Sequence, residues 1–344
     1  MITPFGARSR YREFWIMSGV AAVLAALPWL LTLIGGYTEL ATPILLWGMF
    51  ALGFDILLGF TGLLSFGHAA FWGLGGYASG MILLRVSNDL LLAVAAGTVV
   101  GGAASALLGY LTLRRRGIYF SILTLAFAEM FYYAALAPLQ DWTGGDNGLT
   151  GIPAAQLFGI AMKGWPIYAV IAAATFAGIY VARRIARSPY GLILRAIKAN
   201  ETRVASTGIH TRHYKFAAFV ISGLYAGLAG ALSAAYQTYV PTDALHWTTS
   251  GQLVMMAVIG GTGTLFGPML GAGIVLYLQN VLSATIPQWL LVQGLIFMAF
   301  VVFLPGGVVE AGRRLARALS RGRKRQPPVP DAASVKGVGS VHAD

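Results

Sequence analysis

The chain has 344 residues, of which 57% are hydrophobic and only 10% are charged. Soluble domains carry about 25% charged residues, so this composition excludes an ordinary soluble protein and indicates an integral membrane protein with many spans. Cysteine is absent, which excludes disulfides and thiolate metal sites. The net charge of +12 does not indicate nucleic-acid binding, because the basic residues are gathered in short clusters between apolar runs.

Four clusters contain 22 of the 24 Lys and Arg residues, at positions 8–12, 114–116, 183–215 and 313–336. The positive-inside rule places all four in the cytoplasm, so an even number of spans must separate each consecutive pair. A span needs about 20 apolar residues. We therefore predict an all-α membrane protein with about ten transmembrane helices and both termini cytoplasmic. The predicted spans are 14–36, 41–58, 62–84, 90–112, 118–138, 165–182, 216–237, 248–262, 264–284 and 288–305.

These spans form one predicted transmembrane domain, residues 14–312. A basic cytoplasmic arm, residues 1–13, precedes it. The first apolar run lacks a small-residue cleavage site, so we interpret it as a retained span. Residues 139–164 lie between the fifth and sixth predicted spans, so this topology makes them an external loop, and they are rich in turn-forming residues. Residues 313–344 form a basic tail whose Pro, Gly, Ser and Ala content predicts disorder.

Two glycine-rich segments resemble each other: residues 59–67 (GFTGLLSFG) and 260–267 (GGTGTLFG). Each interrupts helical propensity at the start of an apolar span. Unwound backbone at membrane depth must line protein or water, so paired interruptions indicate a substrate path. Two alternatives remain open: the glycines serve only close helix packing, or the similarity is a coincidence in a glycine-rich chain.

Asp55, His68 and Glu129 fall near membrane depth, where ionisable groups are costly and face a cavity or a partner. One interpretation is a proton or cation relay. We favour the other, in which each carboxyl satisfies freed backbone or a neighbouring hydroxyl, because no Lys or Arg lies in mid-span. The candidates for the translocation path are Thr61, Ser65, His68, Glu129, Gly260, Thr262 and Gly263.

Residues 183–215 form the longest polar segment, with eight basic residues and Glu201 as the sole acid. Ser188 and Pro189 predict a helix start, and Gly208 can end the helical region. Such a segment is what a membrane protein would present to a soluble partner, although a solvated loop that only sets topology is the alternative. The predicted partner-coupling residues are Ser188, Pro189, Gly191, Arg195, Ala196, Asn200, Glu201, Ala205 and Gly208. We also place Lys198 on this contact face.

Motifs for catalysis are missing from the sequence. There is no Gly-x-x-x-x-Gly-Lys-Ser/Thr phosphate loop, no His-Glu-x-x-His, no Gly-x-Ser-x-Gly and no His/Cys/Asp cluster at metal-ligand spacing. We therefore expect a chain that is not an enzyme and binds no metal or nucleotide itself.

Six segments, in order, resemble the LivM-type permeases of branched-chain amino acid ABC importers. They are 59–71 with 75–77, 116–129, 143–153, 195–209, 226–230 and 260–268. The resemblance extends from about residue 40 to residue 305. It implies that residues 195–209 are the family's cytoplasmic coupling segment, and we expect the segment 188–208 to dock on an ATPase subunit.

The resemblance also implies a multi-pass subunit of a bacterial inner membrane. Its implied partners are a second related permease, two cytoplasmic ATPase subunits that use ATP and Mg²⁺, and an extracytoplasmic solute-binding protein. The implied solutes are branched-chain amino acids, although relatives carry urea, short amides or aromatic acids. Two alternatives of other classes stay open: a stand-alone proton-coupled transporter using Glu129 or Asp55, and a scaffold without transport.

Overall fold

The computed structural model describes residues 7–33, 35–115, 117–304 and 306–321, and its side chains from residue 13 to residue 314 apart from residues 34, 116 and 305. The prediction of an all-α protein is confirmed, since the described chain contains only one small sheet. The helices are α1 (Ala7–Leu33), α2 (Ala41–Thr61), α3 (His68–Arg85), α4 (Leu90–Thr112), α5 (Ile118–Leu136), α6 (Gln140–Thr143), α7 (Trp165–Arg187), α8 (Pro189–Ala199), α9 (Glu201–Ser206), α10 (Thr211–Gln237), α11 (Trp247–Gly260), α12 (Gly267–Thr285), α13 (Trp289–Phe303) and α14 (Gly307–Arg321). The strands β1 (Gln156–Leu157) and β2 (Ile160–Ala161) form an antiparallel hairpin within the predicted external loop.

Within the described residues, seven helices are long and apolar enough to cross a membrane, and an eighth crossing results if α13 and α14, bent by 45°, count as one. Each of the ten predicted spans coincides with a helix. Three of those helices fall outside the seven: α3, α11 and α13. The 14 residues of α11 rise only about 21 Å, which is too short for a bilayer core of about 30 Å. The number ten therefore stays a prediction, as does the side on which the termini lie.

Helices α2 and α10 run through the centre of the bundle, whereas α1 lies at its edge. The apolar part of α2 is 89% buried and that of α1 only 17%. Glycines allow α3, α4 and α10 to meet: a Cβ on Gly75 would contact the carbonyl oxygen of Gly227, and one on Gly101 would contact its Cα. Close approach through small residues is how helices associate in lipid, where the hydrophobic effect adds little.

The polar segment folds into two short helices, α8 and α9, at one end of the bundle, which we call the basic end. The side chain of Ser188 accepts the N–H of Gly191, and Pro189 occupies the first turn of α8, as predicted. Gly208 follows α9 with φ of 85°, also as predicted. The break between the helices lies at Asn200, whose side chain accepts the N–H of Arg203 and so starts α9.

The prediction of disorder is wrong for the first residues of the tail. Residues 313–321 continue the helix α14, which begins at Gly307. Val308 packs against the cluster formed by Met256, Ile259 and Val275, so one face of α14 has an apolar surface to cover. The remainder of the predicted tail, residues 322–344, lies outside the described residues.

Candidate functional site

The two glycine-rich segments are breaks between helices, and they contact each other. The first separates α2 from α3, and the second separates α11 from α12. A Cβ on Gly59 would lie 2.5 Å from the backbone nitrogen of Gly263, and one on Gly263 would lie 3.1 Å from the carbonyl oxygen of Gly59. The two resembling segments therefore form a single junction in the bundle.

Asp55 stabilises this junction from α2. Its Oδ1 accepts the N–H of Gly263 at 2.7 Å, and its Oδ2 accepts the N–H of Leu265 at 3.2 Å. The residue is fully buried. Unwound backbone away from water needs such partners, because an unpaired buried N–H is costly. This contact agrees with the interpretation favoured from the sequence, in which the Asp55 carboxyl accepts hydrogen bonds from freed backbone.

Lys198 connects α8 to the same junction. Its Nζ donates to the carbonyl oxygen of Gly59 at 2.8 Å, and its charge acts on the Asp55 carboxylate. Gly59 lies in the last turn of α2, where carbonyls have no intrahelical donor and the helix dipole is negative. An ammonium group placed there satisfies both requirements. The polar segment is thus linked to the end of the central helix.

Three residues of the predicted contact face, Lys198, Glu201 and Gly191, contact the membrane helices or the turn before α8. Lys198 reaches into the bundle as described, and Glu201 pairs with Lys215 at 2.6 Å and accepts the hydroxyl of Thr211 at 3.1 Å. Gly191 is buried, and a Cβ there would collide with the carbonyl oxygen of Ile185. Lys198 and Glu201 attach α8 and α9 to the membrane helices, while the Lys198 side chain also stays exposed to its surroundings.

The exposed side of α8 is formed by Leu192, Ala196 and Ala199, with Arg195 beside them, which we call the α8 stripe. Leu192 is 68% exposed although it is apolar. The spacing i, i+4, i+7 puts the three on one face. The opposite face is buried through Leu194 and Ile197. In the following helix Ala205 is also exposed, as a contact residue would be.

The base of α8 is fixed by Tyr190. Its hydroxyl donates to the carbonyl oxygen of Tyr214 in α10 at 2.9 Å, and the two rings stack. Burial raises the pKa of the Tyr190 phenol above its usual value, so the hydroxyl stays protonated as the donor.

His68 ties the start of α3 to α10. Its Nδ1 lies 3.1 Å from Ser65 Oγ, and its Nε2 lies 2.7 Å from Ser222 Oγ. The ring is fully buried and meets three phenylalanine rings edge-on, those of Phe54, Phe71 and Phe219. Both ring nitrogens have hydroxyl partners, so the structure gives His68 and Ser65 a role in packing.

Glu129 belongs to α5, and its carboxylate lies at the start of α11. Its Oε1 accepts the backbone N–H of Trp247 at 3.1 Å and lies 3.9 Å from Nε2 of His246. The first N–H groups of a helix lack intrahelical partners, and a carboxylate there is favoured by the helix dipole. The Glu129 carboxylate therefore accepts a backbone N–H group, which again agrees with the interpretation favoured from the sequence.

A cavity of about 230 Å³ opens at the end of the bundle opposite the basic end. It lies between α2, α3, α10 and the segment that leads into α11. Its walls combine aromatic and polar groups, and the Trp47 and Trp72 rings are 5.3 Å apart. Other described lining residues are Ser233, Gln237, Tyr239, Asp243 and Thr249. The size and mixed polarity suit a small polar solute.

A second cavity, of about 510 Å³, lies at the basic end. It is lined by Thr61, Ser121, Lys198, Glu201 and Lys215, among others. Trp47 in the first cavity and Thr61 in the second lie 14 positions apart on α2, about 21 Å along its axis. The buried rings of Phe50 and Phe54 lie between them. The two cavities thus open at opposite ends of one helix and are separated by packed side chains.

Few of the seven predicted path residues line these cavities. Thr61 is among the described lining residues of the second cavity, and none of the seven is among those of the first. Gly260 packs against Gly267, where a Cβ would collide with the carbonyl oxygen. Thr262 and Gly263 are exposed beside it. The sequence interpretation missed Trp47 and Trp72, because tryptophans inside apolar runs look like ordinary core residues.

Long apolar helices, glycine-mediated packing and opposed cavities along a central helix define an integral membrane protein of the transport class. The chain belongs to the family described as branched-chain amino acid transport system / permease component, which matches residues 36–301. The chain is accordingly a permease of the ABC-transporter type and a multi-pass protein of a bacterial inner membrane.

Individual relatives agree with the family. The high-affinity branched-chain amino acid transport system permease protein LivM of Escherichia coli K12 is 26% identical over 318 residues, covering 86% of this chain and 75% of the relative. The autoinducer 2 import system permease protein LsrC of Escherichia coli O9:H4 is 28% identical over 200 residues, covering 54% of each chain. No solved structure matches.

Proposed function

We propose that this chain forms the translocation path of an importer for branched-chain amino acids, or for a related small polar solute such as urea or an amide. The similarity to LivM over 86% of the chain supports the amino acid class. The partners in this proposal are a second related permease, two ATPase subunits that use ATP and Mg²⁺, and an extracytoplasmic solute-binding protein.

The proposed orientation places the basic end in the cytoplasm, with both termini on that side and about ten crossings. The basic clusters support it, because Lys and Arg are retained on the cytoplasmic side. The cavity with Trp47 and Asp243 then faces outward and receives solute. The cavity with Thr61 and Lys198 faces the cytoplasm and releases it.

The observation that carries the proposal is the α8 stripe at the basic end. An apolar Leu192 that is 68% exposed, on a helix whose other face is firmly attached to the bundle, suits burial against a soluble subunit. Lys198 then offers a route for coupling. Motion of α8 reaches the end of α2 through the carbonyl of Gly59, and it reaches the second break through Asp55 and Gly263.

The proton-coupled alternative has less support, since Asp55 and Glu129 both accept backbone N–H groups. The deciding experiment is solute uptake into vesicles containing the chain with its co-purified subunits and the binding protein. Uptake is expected to require ATP and the binding protein and to persist when a protonophore collapses the proton gradient. Uptake driven by a proton gradient without ATP would overturn the proposal.

A matched pair of variants tests the docking surface. Leu192→Asp should weaken the affinity for the ATPase roughly thirtyfold, which corresponds to the loss of about 2 kcal/mol at a central contact. Less ATPase should therefore co-purify. Arg115→Asp changes an exposed residue in the turn between α4 and α5 and should leave co-purification unchanged. Equal retention of the ATPase by both variants would show that the α8 stripe is not the docking element.

A further inference from the structure

A third cavity lies between α1 and α7 and belongs to neither end of the path. The two helices run antiparallel and touch in three described places. The rings of Trp29 and Trp165 lie 5.4 Å apart at the end away from the basic end. The Tyr168 hydroxyl donates to the carbonyl oxygen of Leu24, and Arg187 forms an ion pair with Glu13 at the basic end. Between these contacts the helices leave a cavity of about 590 Å³. It therefore opens on the periphery of the bundle.

The lining of this cavity changes from apolar to basic along its depth. Met17 and Phe176 form the deeper part, one turn and three turns further into the bundle than Glu13 and Arg187. Tyr180 and the arginines lie at the basic end. An amphiphile with apolar tails and an anionic head has the same order of polarity.

Among the residues whose side chains the structure describes, the basic part contains the guanidinium groups of Arg183, Arg184 and Arg187 and the carboxylate of Glu13. Arg184 Nη1 lies 3.2 Å from the hydroxyl of Tyr180, which holds it at the wall of the cavity. Guanidinium groups suit phosphate because their planar donors match its oxygens. The charge balance of this lining is therefore positive and favours an anion.

The cavity is open to the membrane side. The apolar part of α1 is only 17% buried, and Phe14 at the cavity is 68% exposed. Under the proposed topology its basic mouth lies at the depth of the cytoplasmic headgroups, where anionic lipids collect and basic pockets between helices recognise them.

We propose that this cavity binds an anionic phospholipid of the cytoplasmic leaflet, with the phosphate at Arg184 and Arg187 and the acyl chains along Met17 and Phe176. The inference rests on the proposed orientation of the basic end. Ser188, which starts α8, also lines the cavity. The bound lipid therefore contacts the first turn of the proposed docking helix.

The test uses the full-length chain, purified with the subunits that accompany it, in nanodiscs of phosphatidylcholine. Phosphatidylglycerol is titrated in, and the retained lipid is measured by native mass spectrometry. Arg184→Gln with Arg187→Gln should weaken phosphatidylglycerol binding about thirtyfold, at about 1 kcal/mol for each basic residue near the surface. Single Arg184→Gln should show a smaller loss in the same direction.

The chain contains a matched control. Arg114 lies 3.2 Å from the hydroxyl of Tyr110 in the same i, i+4 arrangement as Arg184 and Tyr180. Arg114→Gln with Arg115→Gln removes the same charge near the basic end and should leave the affinity unchanged. Equal loss in both double variants would show a diffuse surface effect and overturn the proposed site.

Glu13→Gln gives a test with the opposite sign. It removes the carboxylate that the described lining contributes to the basic part, so phosphatidylglycerol should bind more tightly, whereas a purely structural ion pair predicts no gain. No preference for phosphatidylglycerol over phosphatidylcholine would refute the inference. Displacement of the lipid by inorganic phosphate would assign the site to a soluble anion and also refute it. None of these measurements depends on uptake, so their failure is distinguishable from failure of the transport proposal.

Discussion

Replacement of Lys198 by methionine isolates the contact between α8 and α2. Methionine keeps an unbranched chain of similar length and removes the charge and the donors. The lost interaction is a charged hydrogen bond of 2.8 Å to the carbonyl oxygen of Gly59. Hydrogen bonds to charged groups contribute about 1.5–3 kcal/mol, and we take about 1–2 kcal/mol because this residue is exposed over much of its surface.

That energy corresponds to a factor of about 5–30 in the equilibrium between coupled and uncoupled arrangements. In reconstituted vesicles, Lys198→Met should lower solute taken up per ATP hydrolysed by about that factor. Co-purification of the ATPase should be retained, since Lys198 faces the bundle and not the α8 stripe. Lys198→Arg keeps a cation and should recover part of the loss.

The control is Arg212→Met, which removes an exposed cation from the first turn of α10. It should leave uptake, hydrolysis and their ratio unchanged. Thermal unfolding of each purified variant separates coupling from stability. Normal uptake per ATP in a Lys198→Met protein that unfolds at the wild-type temperature would refute the proposed connection.

Three further predictions concern stability, ionisation and topology. Gly260→Ala should lower the thermal unfolding temperature, because the added Cβ would collide with Gly267 and such overpacking costs about 1–3 kcal/mol. The control Gly251→Ala, in the same helix, places its Cβ in open space and should not destabilise the protein. Glu129→Gln keeps an acceptor for the N–H of Trp247 and should retain uptake with an unchanged pH profile, while Glu129→Leu should lose stability; abolished uptake in a normally assembled glutamine variant would favour proton coupling. The chain has no cysteine, so single cysteines can report its topology. A cysteine at Ser206 should react with impermeant reagents from the cytoplasmic side, and one at Phe158, which is 91% exposed on the hairpin, should react from outside. Labelling of position 206 from outside would reverse the proposed orientation.

The sequence predicted the breaks and the start of α8 correctly because both depend on local chemistry. Glycine runs interrupt helices, and serine followed by proline begins one. Positive φ at Gly62, Gly261 and Gly263 shows how the breaks use glycine. The pairing of Gly59 with Gly263 was not predictable from one sequence, because nothing local relates positions about two hundred residues apart.

The direction of individual side chains on α8 was also beyond the sequence. Basic residues on a short helix look alike, and only the fold shows that Lys198 reaches Gly59 while Leu192 faces outward. The cavity opposite the basic end was missed for a related reason. Trp47 and Trp72 belong to different predicted spans, and their approach to 5.3 Å depends on how α2 and α3 pack.

The contact between the two breaks has a consequence for how this chain changes over evolutionary time. Position 59 has no room for a side chain, because a Cβ would collide with the carboxylate of Asp55 and approach the backbone of Gly263. A substitution at one of these three positions therefore alters the fit of the other two. Across many relatives, residues equivalent to 55, 59 and 263 should vary as a set, although they are far apart in the chain. A survey that finds them varying independently would show that the junction can rearrange to accept side chains for which this packing leaves no space.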